Sequence, residues 1–333
     1  MIINLYLLAN PPVGGTMTYT HQLTKVLKHR GHKVNVYAVR KRSEPRLRQY
    51  PHGVSYRNLS LEDAITAMKD GPSIVATLYH RQFKEAQEQL LLNGATMIVH
   101  DPTDLHKGNY KVFKDSGCRI IAVKPVLVHQ LQQQGFKSVY IPLPYTPAEP
   151  TTVRSIVYHA VCMTRIEWSK HPEVIAAANL LLPPGKRIKS WGQISNVYTY
   201  NDLDPKFPSW RQDYMGVFKS PNGGFDCARA ARFSVDMTSV ARGDGGAPQY
   251  TTLESWDAGA ILVNAKGWLC SDPAFNILKH GEHALFVDGP EELAKTLKST
   301  DSFKSVIDGG RRMLPNHGAD VVGPLYEDHL KAC

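Results

Sequence analysis

Several things are missing from this 333-residue sequence, and each absence removes a class of protein. No apolar run approaches the roughly 20 residues that a membrane-spanning helix needs. The opening MIINLYLLANPPVGG has no basic stretch ahead of its apolar residues and runs straight into proline and glycine, so it reads as a first buried strand rather than a secretory leader. The five cysteines (Cys118, Cys162, Cys227, Cys270 and Cys333) are odd in number and scattered, with no zinc or redox spacing. That pattern argues against a disulfide framework and leads us to expect reduced thiols in a cytoplasm. Internal repeats and low-complexity tracts are absent, and so is the GxGxxG dinucleotide fingerprint.

What remains is an ordinary globular composition, 42% apolar and 21% charged, and a length that suggests two domains of roughly 150 residues. The net charge of +9 is unevenly placed. Residues 1–150 hold 19 Lys+Arg against 10 Asp+Glu, whereas residues 151–333 hold 20 against 20. The surplus is densest in VRKRSEPRLRQY (Val39–Tyr50). A short charge run is commonly a solvated loop, but an excess spread over a whole half suggests that this half faces a polyanion or an anionic membrane.

Along the chain, apolar strand-like runs alternate with amphipathic helices. IINLYLLAN reads as a strand, TYTHQLTKVLKHRG as a helix with Leu23, Val26 and Leu27 on one face, and HKVNVYAV as the next strand, with Gly31 ending the helix. The alternation continues to SVYIPLPY, where the proline-rich PLPYTPAEPTTV reads as a stiff connector. A second alternation begins at SIVYHAVCM and runs to PEELAKTLKS, and GPLYEDHLKAC reads as a last helix. Strands spaced by helices of this length predict an α/β fold of two Rossmann-like domains facing each other across a cleft, the place where such sheets bind ligands. The expected divisions are residues 1–147, residues 148–316, and a C-terminal helix over 317–333.

Four constellations stand at strand ends, and a fifth, NDLDP, lies in a loop. The loop NPPVGGTM brings Gly14 and Gly15 to the start of a helix, either to let backbone approach an anion or simply to make a tight turn. IVHDPTD puts His100 and Asp101 just past a strand, either facing the expected cleft or serving as a satisfied interior histidine and a helix cap. In MTRIEWSKHPE, Arg165 and Lys170 straddle a strand-to-helix turn, so both could meet a phosphate there or be ordinary surface cations. NDLDP (Asn201–Pro205) has the letters of a metal-binding DxD but reads as a turn. In PQYTTLESWDAGAILVNAKG, Pro248 to Gly267, a helix carrying Glu254 follows a glycine-rich loop and precedes a buried strand.

The order FSVDMTS strand, glycine-rich loop, Tyr250-Thr-Thr-Leu-Glu254, Ala258-Gly259 and AILVN resembles the donor-binding signature of GT-B glycosyltransferases, most closely the retaining, GT4-like group that uses nucleoside-diphosphate sugars. The Gly14-Gly15 loop, His100, YIPLPY, Arg165 with Lys170, Gly216 in YMGVF, and HGEHALFVDGPEELAKTL fall in the order that family requires, so the resemblance covers nearly the whole chain. It implies that Glu254 hydrogen-bonds the ribose, that Arg165 and Lys170 neutralise the diphosphate with backbone N–H groups near Gly15 and at Tyr250–Thr251, and that His100 contacts the transferring sugar. Gly14, Gly15, Gln249, Tyr250, Thr251 and Glu254 then form the donor site, with His100, Arg165 and Lys170 as its catalytic groups. The family's fullest pattern has a second glutamate eight positions before Glu254, and that position is Gly246 here. The resemblance further implies a UDP-sugar co-substrate, no obligatory metal or other cofactor, retention of configuration, a last helix over 317–333 that crosses back to the first domain, and cleft closure on the donor.

The chemistry such a site must perform is cleavage of a C1–phosphate bond. Two cations and a helix N-terminus can stabilise the departing diphosphate, and a single preorganised donor of this kind is worth about 3 kcal/mol. The two facing carboxylates of a hydrolase are not evident.

For the acceptor, the chain is distantly similar to the DNA α-glucosyltransferases of T-even phages, in GGTMTYTHQL, GHKVNVYAV and YTTLESWDAGAILV. This implies double-stranded DNA as partner, a hydroxymethylated pyrimidine flipped out as acceptor, a host-cytoplasmic and monomeric enzyme, and phosphate contacts from Arg40, Lys41, Arg42, Arg46 and Arg48. A lipid-linked or surface-glycan acceptor and a non-catalytic nucleic-acid-binding module are the alternatives. The two prolines and few apolar residues of VRKRSEPRLRQYP do not make the basic amphipathic helix that a membrane-docking enzyme would use.

Overall fold

The computed structural model describes residues 1–8, 15–49, 54–76, 83–101, 114, 116–148, 154–218, 222–239 and 245–331. The chain forms two compact units: Met1–Thr146 together with Pro315–Cys333, and Pro147–Leu314.

The first unit is built on an eight-stranded sheet in the order β3-β4-β2-β1-β5-β6-β7-β8. Its strands are β1 (Ile2–Leu7), β2 (Lys33–Val39), β3 (Leu47–Gln49), β4 (Ser55–Leu59), β5 (Ser73–Val75), β6 (Thr96–Val99), β7 (Ile120–Ala122) and β8 (Ser138–Tyr140). All neighbours pair in parallel except β3 with β4. Central strands read as largely apolar runs because both faces are covered: Ile3, Leu5, Tyr6 and Leu7 of β1 are buried, and the polar Asn4 among them is buried with its amide donating to Ala67 O at 2.9 Å. The helices α1 (Gly15–His29), α2 (Leu61–Ala67), α3 (Lys84–Leu92) and α4 (Pro125–Gln133) lie between strands. Leu23, Val26 and Leu27 of α1 are buried, as their spacing predicts.

The second unit carries a six-stranded, wholly parallel sheet in the order β11-β10-β9-β12-β13-β14. Its strands are β9 (Tyr158–Cys162), β10 (Ile188–Trp191), β11 (Tyr214–Gly216), β12 (Ala231–Asp236), β13 (Ile261–Ala265) and β14 (Leu285–Val287). The helices are α5 (Pro172–Leu181), α6 (Gly223–Arg229), α7 (Tyr250–Ala258), α8 (Gly289–Lys298) and α9 (Lys304–Met313). One face of the sheet packs Ala160, Cys162, Phe233, Val235, Ile261 and Val263 with Ile175, Leu293 and Leu297. In both sheets the order of strands reverses beside the first strand, the topological switch point of doubly wound folds.

The last helix, α10 (Ala319–Lys331), belongs to the first unit. It docks on α1: the Tyr19 and Tyr326 hydroxyls hydrogen-bond in the interior, and Glu327 bridges Arg30 and His32, both at 2.9 Å. The paired Arg30 guanidinium holds the Glu327 carboxyl down at about 2.

Three features differ from the sequence-based expectation. The basic run is not wholly a loop, because Leu47–Gln49 forms an antiparallel edge strand on β4. NDLDP is helical rather than a plain turn, spanning a π-helix over Thr199–Leu203 and a short helical turn from Asp204. Its carboxylates are structural: Asp202 accepts the Trp168 indole N–H at 3.0 Å, and Asp204 accepts Trp210 at 2.7 Å and Arg211 at 2.9 Å. The helices α6 and α9 are not among the sequence-based expectations, since both contain glycine pairs, Gly223-Gly224 and Gly309-Gly310, that disfavour helix.

Candidate active site

In the second unit, the end of β12 organises the residues picked out by sequence. Asp236, its last residue, is 3% exposed. It accepts hydrogen bonds from the Thr238 backbone N–H at 2.9 Å, the Thr238 hydroxyl, the Thr251 hydroxyl at 2.8 Å and the Gln249 amide at 3.5 Å. Lys170 ends a short 3₁₀ turn after β9, and its Nζ donates to Thr238 Oγ1 at 3.1 Å. Lys170, Gln249 and Thr251 are therefore gathered on one hydrogen-bonded cluster.

The helix α7 starts at Tyr250, behind Gln249, whose side chain makes no capping bond. Its first turn contains no acidic residue. First-turn N–H groups lack intrahelical acceptors and carry the positive end of the helix dipole, so this end suits an anion. Glu254 follows one turn further on and is half-buried. Among the described residues no hydrogen bond or ion pair engages its carboxylate. Burial, with the Asp257 and Asp226 charges adding to it, pushes its carboxyl up to about 8. A half-buried carboxylate without donors is costly unless a ligand provides them.

Gly224 in α6 is the residue that makes room for this carboxylate. A Cβ there would overlap Glu254 Oε2. No sequence signal pointed to Gly224, since its role exists only where α6 meets α7.

Arg165 is engaged differently from Lys170. It is mostly exposed and pairs with Glu167 at 3.0 Å within its own turn. Between the two cations, Trp168 is 52% exposed yet held by Asp202 and by an edge-on contact with Tyr198, ring centroids 5.2 Å apart. Next to Lys170, His171 has φ of 47°, a left-handed conformation uncommon for a residue with a Cβ. Two bonds of 2.7 Å secure it, to Glu173 and to Ser239, and the Glu173 contact raises the imidazole pKa. Tyr198 completes this second chain by donating to Glu173 at 2.6 Å. Sequence reasoning missed Asp236, Thr238, His171 and Gly224. Asp236 alone left a trace, as a carboxylate closing the strand that precedes the glycine-rich loop.

Gly246 has φ of 73°, and a Cβ there would overlap Asn276 Oδ1 and press on Cys270 Sγ at 3.0 Å. Its N–H donates to Trp268 O at 2.7 Å, and its carbonyl accepts from Ile277 at 2.9 Å and Leu278 at 3.0 Å. A glutamate cannot occupy this position without rebuilding the packed 268–278 segment.

In the first unit, α1 begins at Gly15, which is exposed, with no atom of the described residues near the place a Cβ would take. Gly14 lies outside the described residues, as do residues 241–244 of the glycine-rich loop. His100 sits against the start of α1, edge-on to Tyr19 with ring centroids 4.6 Å apart. Burial lowers its pKa to about 4, so the ring is neutral near pH 7.

Of the basic run, Lys41, Arg42 and Arg46 are exposed and make no ion pair among the described residues. Arg48 is held by Glu44 at 2.5 Å, and Arg40 lies over the Phe83 ring at 5.8 Å. Among the described residues no cluster of three or more potential metal ligands occurs, and no helix is long and apolar enough to cross a membrane.

No family model and no curated protein matches the sequence. Solved structures do match in fold. An alpha-glucosyltransferase in complex with UDP and a 13-mer DNA containing a HMU base superposes with a TM-score of 0.73 over 99% of both chains at 13% identity. Anabaena Alr3699/HepE in complex with UDP-glucose superposes with a TM-score of 0.66, at 10% identity, over 99% of this chain and 100% of that one. The fold is that of the GT-B glycosyltransferases. Within this GT-B fold the cluster around Asp236 lies at the carboxyl end of β12 in the second Rossmann-like unit, and His100 at the carboxyl end of β6 in the first.

Proposed function

We propose that this protein is a glycosyltransferase that moves a sugar from a UDP-sugar to a hydroxyl acceptor with retention, and that the acceptor is a hydroxymethylated pyrimidine in double-stranded DNA. The observation that carries the donor half is the pairing of the Lys170–Thr238–Asp236–Thr251 cluster with the open Glu254 carboxylate one turn along the same helix. Lys170 and the first N–H groups of α7 supply positive charge for a diphosphate, and Glu254 supplies the acceptor that ribose hydroxyls need. Similar folds bind UDP and UDP-glucose, which favours uridine as the nucleotide.

As the C1–phosphate bond breaks, negative charge accumulates on the leaving diphosphate. Lys170 neutralises it as a point charge, and Arg165 joins after exchanging Glu167 for phosphate. The acceptor hydroxyl attacks from the leaving-group face, and the departing phosphate takes its proton. Neutral His100 contacts a sugar hydroxyl without competing for that proton. On the acceptor side, the charge surplus of residues 1–150, with exposed Lys41, Arg42 and Arg46, suits a phosphate backbone. Such a DNA-modifying enzyme acts in the cytoplasm, as a monomer and without an obligatory metal.

The test is a panel of radiolabelled UDP- and GDP-sugars incubated with hydroxymethylated DNA, unmodified DNA and lipid acceptors. The expected outcome is label in hydroxymethylated DNA from a UDP-sugar. Label in lipid alone overturns the acceptor, and no turnover or hydrolysis of any nucleotide sugar overturns the enzyme.

A further inference from the structure

Asp236 poses a problem that the proposed reaction does not resolve: a buried carboxylate stands beside the lysine that is to meet a diphosphate, where its charge would repel the ligand. Its hydrogen bonds supply the answer. As a carboxylate it can only accept, and each threonine hydroxyl has one proton to give. With the Thr238 proton committed to Asp236, Thr238 Oγ1 can only accept on its other side, and it accepts Lys170 Nζ at 3.1 Å. With the Thr251 proton also committed, and the Gln249 amide nitrogen turned toward Asp236, the Thr251 oxygen and the Gln249 carbonyl oxygen are left as acceptors.

We infer that Asp236 is a positioning residue that sets the hydrogen-bond polarity of the donor site, holding Lys170 through Thr238 and turning Thr251 and Gln249 toward hydroxyl donors. It touches no reacting atom. Its charge is spread over four donors, so Lys170 keeps its own charge for the ligand while its direction is fixed. One carboxylate thereby ties the turn after β9 to the first turn of α7, two segments about 80 residues apart in sequence.

This inference rests on the donor-site assignment above, and a double-mutant cycle separates the two. Asp236→Asn keeps the size but puts a donor where an acceptor is needed, so one side of the cluster must open. Turnover of the best nucleotide sugar from the panel is measured for the parent, Asp236→Asn, Lys170→Ala and the double variant, with thermal melting of each. We expect Asp236→Asn to lower kcat 10- to 100-fold, and to change it less than threefold when Lys170 is already alanine. A purely structural residue would cost the same in both backgrounds, and that additive result overturns the inference while leaving the donor site standing. If Asp236→Asn does not fold, Thr238→Val, which removes only the relay hydroxyl, takes its place in the cycle with the same two outcomes. A parent that turns over no nucleotide sugar removes the donor site and this inference together.

Discussion

Lys170 and Lys41 carry the same ammonium group in opposite surroundings. Lys170 is partly buried, aimed by a threonine that is itself aimed by a buried aspartate, in a half of the chain whose charges balance. Lys41 is exposed among exposed arginines, in the half that carries the whole surplus. The difference follows from what each would face. A diphosphate bound at one fixed point rewards preorganisation, because directed charges need not reorient as the bond breaks. A polyanion with a charge every few ångströms rewards number, since each neutralised phosphate releases a counterion whatever the side chain's exact placement.

The largest effect that would break this comparison is at Lys170. Lys170→Ala is expected to lower kcat about 10²- to 10³-fold, the loss typical of one preorganised donor, in a steady-state assay of donor turnover. A loss below tenfold would mean that the aimed lysine does no more than an exposed one.

Next comes Glu254→Gln. Hydrogen bonds to a charged group are worth about 1.5–3 kcal/mol, so donor affinity measured calorimetrically should fall roughly 10- to 150-fold. The pH dependence gives a second readout. The Glu254 carboxyl is held at about 8, above its unfolded value, so its contribution to stability is full at low pH and is lost as pH rises through 8. Glutamine cannot ionise, so the variant should melt several degrees higher than the parent at pH 8.5 and nearly with it at pH 5. Ribose hydroxyls favour the ionised form, so parent affinity for UDP should climb toward pH 8 while the variant's stays flat.

The first unit is tested through salt. Replacing Lys41, Arg42 and Arg46 together by alanine should reduce the slope of log K against log salt for DNA binding by up to about 2.7, at about 0.9 per phosphate contact. Arg48→Ala should change it less, since Glu44 already neutralises that guanidinium. Equal effects from all four residues would make the Arg48 ion pair irrelevant.

The smallest expected change is at Gly224. An alanine there displaces the Glu254 carboxylate and should weaken UDP binding by several-fold with little loss of thermal stability. Unchanged binding would show that the carboxylate can give way.

Most of the fold was legible because the covered sheets impose apolar runs, as in Leu5–Leu8 and Ile261–Val263, and the intervening helices keep a buried stripe such as Leu23, Val26 and Leu27. The edge strand Leu47–Gln49 was not, since its residues are exposed and its only structural cue is pairing with β4. In the candidate site, Lys170, Thr251 and Glu254 were picked out by the resemblance to the GT-B donor signature, while spacing alone placed them only at a strand end and a first helical turn, where ligands meet a doubly wound sheet. Arg165 was named equally well, yet the structure pairs it with Glu167 rather than with the cluster.

The sequence by itself determined the alternation of strand and helix, the charge imbalance between halves and the residue types at each strand end, all of which are local or additive properties. Only the tertiary structure decided which groups share a proton. That Asp236 links Lys170 to Thr251, that Gly224 clears space for Glu254, and that Gly246 is walled in by Asn276 and Cys270 depend on segments far apart in sequence meeting within a few ångströms. Hydrogen bonds and van der Waals contacts act only over that range, so spacing along the chain could not reveal them.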